Sequence, residues 1–345
     1  MQQLIANSVD IARLDAGERA KVLSMLNRLE RDLAALMGSR VLSEMGRAQT
    51  AALLKEVTAL IQETYTEVNL DIAATLQGLA PIEVQATTKA IEGALNITLG
   101  STGKLSQTYL EKLASNVLVD GSPVKTWFSR QAGDVAFRFA AELRKGLLAG
   151  ETNQQIIARV VGTPDVPGVL PIARKNAAAL VQTSVATVSN EARLALYRKN
   201  ADVVKGVEYS ATLDGHTCGR CAVRDHTWWD LDGVPQDGNT LPFEAPPLHM
   251  NCRCTTSPRL KLFSEQGIDL PDLPVYGGRR AASGGPVKRD TNFEMWFRSR
   301  TPEQQDEQFG AGKAALFRAG KINLRDMLDQ SGNPLTLAEL KARYD

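Results

Sequence analysis

Cys218-Gly-Arg-Cys221 and His249-Met-Asn-Cys252-Arg-Cys254, the latter introduced by Pro246-Pro247, are the stretches on which the reading of this chain turns. All three histidines (His216, His226 and His249) and all four cysteines of the 345 residues fall between His216 and Cys254. Two thiols separated by two residues have the spacing of a zinc knuckle, a turn whose backbone N–H groups point at sulfur, and His249 with Cys252 repeats that spacing. Four such groups close a tetrahedron around a metal ion. Cys254 is a fifth candidate, so the residues leave the fourth place open between Cys252 and Cys254, with the knuckle spacing favouring Cys252. We expect a structural zinc held by Cys218, Cys221, His249 and one of that pair. Without metal, the thiols would be buried or paired. A Cys218–Cys221 bridge is sterically poor in so short a loop, whereas either thiol could pair with Cys252 or Cys254.

A catalytic zinc site keeps one position open and needs a carboxylate base nearby. The chain has no H-E-x-x-H, no H-x-E followed by P-C-x-x-C, and no phosphate-cradling G-x-x-x-x-G-K-[ST]. His216, Asp225 and His226 could be recruited into an HNH-like nuclease, which is the alternative reading. The expectation is nevertheless that there are no catalytic residues, no cofactor besides zinc and no enzyme activity. Trp228 and Trp229 are read as core of a small module rather than as stacking platforms for bases.

Outward from this cluster the chain is predominantly helical. Toward the N-terminus, apolar residues recur at helical spacing: Val22, Met25, Leu26, Leu29, Leu33 and Leu36, then Leu53, Leu54, Val57, Leu60 and Ile61. Pro81, Gly100-Ser-Thr-Gly103 and Gly121-Ser-Pro123 are read as interruptions. Trp127 to Leu148 reads as a helix, with Gly150 at its C-terminal cap and a capping box at Thr152-Asn-Gln-Gln155 opening the next. This makes a helix-turn-helix corner, but Glu151 and two glutamines at the second helix disfavour DNA reading. Thr163 to Gly168 reads as a loop and Ile172 to Lys199 as one Ala-rich helix. Alternation over Val207 to Thr212 and Thr227-Trp-Trp-Asp230 predicts short strands. Beyond Pro258 the composition is that of a loop, and Tyr276 to Arg289 reads as a flexible basic linker. Thr301-Pro-Glu-Gln304 and Thr336-Leu-Ala-Glu339 open helices in the tail.

The expected architecture is thus mainly α: long-helix N-terminal and central regions, a small α+β Cys/His module of zinc type and a tethered helical C-terminal tail. The boundaries expected are a helical region over 1–122, a domain over 123–258 with the module at 207–258, a linker over 259–290 and an appendage over 291–345. Lys plus Arg number 40 against 39 acidic residues, so the net charge of +1 exerts no global pull on nucleic acid or membrane. No membrane segment or export signal is expected, and the chain is read as soluble and made in the cytoplasm.

The ordered string Gly146-Leu-Leu-Ala-Gly-Glu-Thr152, Gln182-Thr-Ser184, Tyr209 through Cys221 and Pro246 through Cys254 resembles the phage head morphogenesis family, the phage Mu protein F-like minor head proteins. The resemblance covers about Trp127 to Pro258. Phe293-Glu-Met-Trp-Phe297, Leu316-Phe-Arg-Ala-Gly320 and Leu335 to Leu340 are similar to the end often attached to that family. The resemblance implies a minor capsid protein taken up at low copy near the portal, with the portal and other head proteins as partners. It also implies a homo-oligomer in the particle, contact with packaged DNA, and a role in head assembly and in DNA packaging or ejection. The implied location is the virion head, after assembly in the host cytoplasm. One departure is visible: the family often has an acid where this chain has Ser184.

Overall fold

The computed structural model describes residues 2–100, 103–162, 168–269, 271–272, 278–329 and 332–344, with side chains between residues 7 and 343 of those ranges. The expected loop at Thr163–Pro167 lies outside the described residues. Two compact units are formed: one by 10–79 and 111–185, the other by 1–9, 80–110 and 186–345.

In the first unit, α1 (Gln2–Gly38) and α2 (Arg47–Leu95) bury the predicted stripes, Val22, Leu26, Leu29, Leu33 and Met37 on one and Leu53, Val57, Ile61, Tyr65 and Val68 on the other. The ion pairs Arg40–Glu56, Arg28–Glu67 and Lys21–Asp71 run in opposite directions along the two helices, so they form an antiparallel hairpin. Exposed pairs of this kind add little stability; the apolar stripes hold the helices. After α3 (Gln107–Asn116), a short β1–β2 hairpin (Leu118–Val119, Ser122–Pro123) turns at Asp120-Gly121, where both residues have positive φ, and leads into α4 (Val124–Leu148). The turn into α5 (Asn153–Val161) carries the predicted capping box at Thr152 and Gln155. Gly150 has φ +67°, as a left-handed cap requires. A Cβ on Gly146 would lie 2.6 Å from the Ile156 side chain, so this glycine permits the close approach of α4 and α5.

Pro81 is a correction: it interrupts nothing, and α2 runs through it. An internal proline costs a hydrogen bond and a ring clash, but Leu76, Leu79, Ala80, Val84 and Ile91 are buried on both sides of it. The packing of that stripe outweighs the local penalty.

The second unit holds the Cys/His module. The C-terminal part of α6 (Val169–Lys199) carries a three-stranded antiparallel sheet of order β4-β3-β5, made of Trp228–Asp230, Val204–Ser210 and Thr255–Leu260. β5 runs through Pro258 to Leu260, past the point beyond which the composition predicts a loop. Pro258 hid it, because proline is excluded from central strands, but β5 is an edge strand, where a missing N–H is tolerated. Asn190 of α6 accepts hydrogen bonds from the Thr256 N–H at 3.1 Å and the Thr255 hydroxyl at 3.2 Å, and donates to the Cys254 carbonyl at 3.4 Å. Arg193, one turn on, reaches both Glu83 of α2 and the Thr255 hydroxyl. Glu83 is fully buried and also receives two bonds from Asn7 at 3.0 and 3.1 Å. This network fixes the start of β5 against its helix.

The tail departs most from expectation. Phe293, Trp296 and Phe297 of α8 (Phe293–Arg298), Phe317 of α10 (Ala311–Arg318) and Leu340 of α11 (Leu337–Tyr344) share one buried cluster with Trp229, Cys221, Cys252 and Cys254. The tail is helical, with capping boxes where the sequence places them, at Thr301 before α9 (Pro302–Phe309) and at Thr336 before α11, but it packs on the module instead of standing off it. Half of the segment read as a flexible linker is likewise engaged. β6 (Arg279–Arg280) pairs with β7 (Val287–Lys288), Ala282 bridges to Leu213, and Arg280 turns inward onto Asp225. The physical reason is that a module of three short strands cannot enclose its own core, and the aromatic tail supplies the missing wall.

Asp225 is the joint of that arrangement. Its carboxylate, 1% exposed, accepts from the Ala211 N–H at 2.7 Å, the Phe293 N–H at 2.7 Å and both terminal nitrogens of Arg280 at 2.8 and 3.0 Å. Replacing Asp225 with Ala leaves the Arg280 guanidinium without its carboxylate, with only the Thr291 and Ala211 carbonyls to accept from it, and leaves two N–H groups without acceptors. We expect a loss of about 3–5 kcal/mol in urea unfolding followed by tryptophan fluorescence; an effect under about 1 kcal/mol would contradict the staple.

Candidate metal centre

Cys218 caps a single helical turn, α7 (Gly219–Ala222), and its carbonyl accepts from the Cys221 and Ala222 N–H groups at 3.1 and 2.9 Å. That turn brings the two sulfurs to the same side. The second pair is built by an equally tight turn, in which the Cys252 N–H donates to the His249 carbonyl at 3.1 Å and Asn251 takes φ +63°. Asparagine is among the few non-glycine residues that tolerate this conformation. Thr212 donates to the Arg253 carbonyl at 2.9 Å, and Arg253 pairs with Asp214 at 2.7 Å, so the end of β3 holds the chain between Cys252 and Cys254.

The two pairs meet. His249 Nε2 lies 3.3 Å from Cys218 Sγ and 3.4 Å from Cys221 Sγ, and Cys221 Sγ lies 3.8 Å from Cys252 Sγ. A tetrahedral zinc with ordinary bond lengths has edges of about 3.8 Å between sulfurs and about 3.6 Å between sulfur and nitrogen. The observed separations are close to those edges. His249 Nδ1 sits 2.8 Å from the Met250 carbonyl. In the neutral ring this contact places the proton on Nδ1 and leaves Nε2 as the lone-pair nitrogen facing the sulfurs, the tautomer a metal needs. Two triads arise, Cys218–Cys221–His249 and Cys221–Cys252–Cys254, each with its ligand atoms within 4.8 Å of one another. Cys221 belongs to both. The structure thus gathers all five candidates and leaves Cys252 and Cys254 both adjacent to the shared sulfur.

Hydrogen bonding from Cys221 lowers the Cys218 thiol to about 4 against the cost of burial, with His249 helping. Contact with Cys218 raises His249 to about 9. Hydrogen bonds from Cys221, then Cys254, hold Cys252 far below an ordinary thiol. Cys221 is pushed up because its proton is shared among Cys218, Cys252 and Cys254. Cys254 gains from its bond with Cys221, but contact with Cys252 and burial drive it up. One Cys221 proton cannot satisfy three sulfurs at once. A divalent cation would let the thiols ionise together, so the donor set fits a soft, tetrahedral ion, and zinc is the one we propose. Such an ion would cross-link the knuckle turn to the chain before β5.

The remaining candidates fall elsewhere. His216 is exposed, with its N–H on the Asp214 carboxylate at 2.9 Å. The His226 ring lies 2.6 Å from Arg280 and 4.0 Å from Glu208. Trp229 is core as expected, donating to the Leu241 carbonyl at 2.7 Å. Trp228 is only half-buried and lies between Lys205 and Arg259, at 5.9 and 5.5 Å. Ser184 is buried and donates to the Leu180 carbonyl at 2.7 Å. Two supports escaped the sequence reading: the Tyr209 hydroxyl, 3.4 Å from Cys221 Sγ, and Asn190 behind Cys254. Tyr209 stood within a recognisable strand; nothing local marked Asn190.

With this geometry in view, the comparisons with known proteins fall into place. Residues 138–257 match the family Phage Mu protein F like protein. The matched Mu F-like segment runs from within α4 to β5 and takes in the corner at Gly150, the helix α6 and all five metal-type ligands, in agreement with the resemblance seen in the sequence. No curated protein and no solved structure matches the chain.

Elemental analysis of purified protein should find about one zinc per chain. Cys218→Ser and His249→Ala should each lower occupancy at least about tenfold, and Cys252→Ser against Cys254→Ser identifies the fourth ligand. Retention of full zinc by the double variant Cys218→Ser/Cys221→Ser, which keeps only three of the five donors, would exclude the site. In metal-free protein the Cys218 thiolate and protonated His249 coexist between about pH 4 and about pH 9. Cys218, lowered, loses its contribution as pH falls through about 4; His249, raised, loses its contribution as pH rises through about 9. Thermal melting after chelation should therefore weaken on both sides of that window, and a flat profile would contradict the pair.

Proposed function

We propose that this chain is a minor head protein of a tailed phage, incorporated at low copy near the portal, with the Mu F-like segment acting as a structural rather than enzymatic unit. The observation that carries the reading is the match of residues 138–257, which supports a phage head morphogenesis protein in general and contains the whole Cys/His cluster. Portal contact, assembly in the host cytoplasm, a homo-oligomeric arrangement in the particle and a part in DNA packaging or ejection extend that reading.

The surroundings of the cluster favour a structural role. Its five donors are all side chains of the protein, which suffices to close a tetrahedron. The nearby carboxylates are each engaged by arginine: Asp214 by Arg253, Asp225 by Arg280, and Glu244 by Arg220 and Arg224. A base available to activate water would have to be released from such a pair. Among the described residues no helix is long and apolar enough to cross a membrane.

Mass spectrometry of purified DNA-filled particles should detect the protein at a few copies per head, and cross-linking should connect it to the portal. Its absence from heads and virions would refute the proposal. Conversion of plasmid DNA by purified protein with magnesium or manganese, abolished by His249→Ala, would replace it with the nuclease reading.

A further inference from the structure

The β6–β7 hairpin places like charges face to face. Arg279 and Lys288 are directly opposed across its two-residue ladder, and both are exposed. Successive side chains on a strand point to opposite faces; since Arg280 turns inward to Asp225, Arg279 turns outward. Arg289 follows Lys288, its N–H bonded to the Gly278 carbonyl at 2.8 Å. Arg300 approaches the hairpin's tip, donating to the Ser283 carbonyl at 3.4 Å while its guanidinium lies 5.0 Å over the Trp296 ring. Among the described residues, none of Arg279, Lys288, Arg289 and Arg300 has a carboxylate partner. Between 278 and 290 the only acid is Asp290.

Directly opposed like charges destabilise an antiparallel pair, and so short a ladder does not offset the repulsion by itself. The hairpin is held instead from beneath, by the Arg280–Asp225 staple and by the Ser283 N–H on the Leu213 carbonyl at 2.8 Å. Cations kept close together on a pinned backbone are preorganised for an anion that bridges them. The chain's net charge of +1 gives no general attraction for polyanions, so the concentration of charge is local. Between Arg280 and Val287, which packs against the core cluster, lie Ala281, Ala282, Ser283, Gly284, Gly285 and Pro286. They offer no large apolar anchor of the kind that dominates protein–protein interfaces, whereas a regularly spaced row of phosphates needs none.

We propose that the outer face of this hairpin, Arg279 and Lys288, with Arg300 at its tip and Arg289 in the turn that follows Lys288, binds the phosphodiester backbone of nucleic acid without sequence preference. The inference stands on the hairpin's own charge pattern and does not depend on the assignment to a phage head.

The discriminating variant is Lys288→Glu in the full-length protein, since it turns the opposed like charges into an ion pair. It should raise the melting temperature by about 1–3 °C. The same variant should weaken binding of a fluorescent mixed-sequence DNA duplex about tenfold at about 50 mM salt. It should also flatten the dependence of log affinity on log salt by about 1, for the loss of one phosphate contact at about 0.9. Arg144→Gln, an exposed cation on α4, should leave affinity within about twofold. The proposal is overturned if wild-type protein shows no salt-dependent DNA binding, if Lys288→Glu binds as wild type, or if Arg144→Gln weakens binding as much. A fall in melting temperature would remove the like-charge argument. Binding of polyglutamate as tight as that of DNA of equal charge would reassign the face to an acidic protein.

Discussion

The buried carboxylate of Asp225 is the constraint on which the module depends. It lies just past the turn that presents Cys218 and Cys221, and it accepts from the end of β3, the first residue of α8 and the guanidinium of Arg280. A carboxylate with so little access to water must have its lone pairs filled by donors, and here each donor belongs to a different segment. The knuckle turn, the strand behind it, the basic hairpin and the aromatic tail are therefore placed relative to one another by a single side chain. That placement makes the tail part of the module's core and holds the hairpin against it.

The opposite side of the metal centre is set by α6. Asn190 satisfies backbone groups of Cys254 and Thr256, and Arg193 joins Thr255 to the buried Glu83. The helix thus positions the chain from Cys252 to β5, while Asp225 positions the chain around Cys218 and Cys221. A metal bound between them would close a loop that hydrogen bonds already bring near to closure. This is consistent with a cross-link that stabilises a scaffold: the ligand atoms come from two tight turns, each with its own internal hydrogen bonds.

Much of this organisation was legible from residue order, and for local reasons. Apolar residues at helical spacing, the capping residues Thr152, Thr301 and Thr336 and the left-handed Gly150 act within a few residues of themselves, so they announce α1, α2, α4, α5 and the tail helices. The crowding of cysteine and histidine into one stretch announced the metal-type cluster in the same way. The errors also have local causes. Pro81 and Pro258 are strong breakers in isolation, yet one lies within a buried helical stripe and the other on an edge strand, where burial in the first case and position in the second set the local preference aside.

What the sequence determined alone was the identity of the helices, the five ligand candidates and the resemblance of the segment around them, because each rests on residue type at short spacing. What only the tertiary structure decided was the meaning of residues that act across long separations. Asp225 and Arg280 meet as a buried pair, Asn190 reaches the back of Cys254, and Phe293, Phe297 and Phe317 become core shared with the cysteines. Nothing within a few residues of Arg280 distinguishes it from Arg279, yet one is stapled inward and the other faces water. Strand alternation separates the two arginines, and a carboxylate fifty-five positions earlier in the chain selects which one is buried.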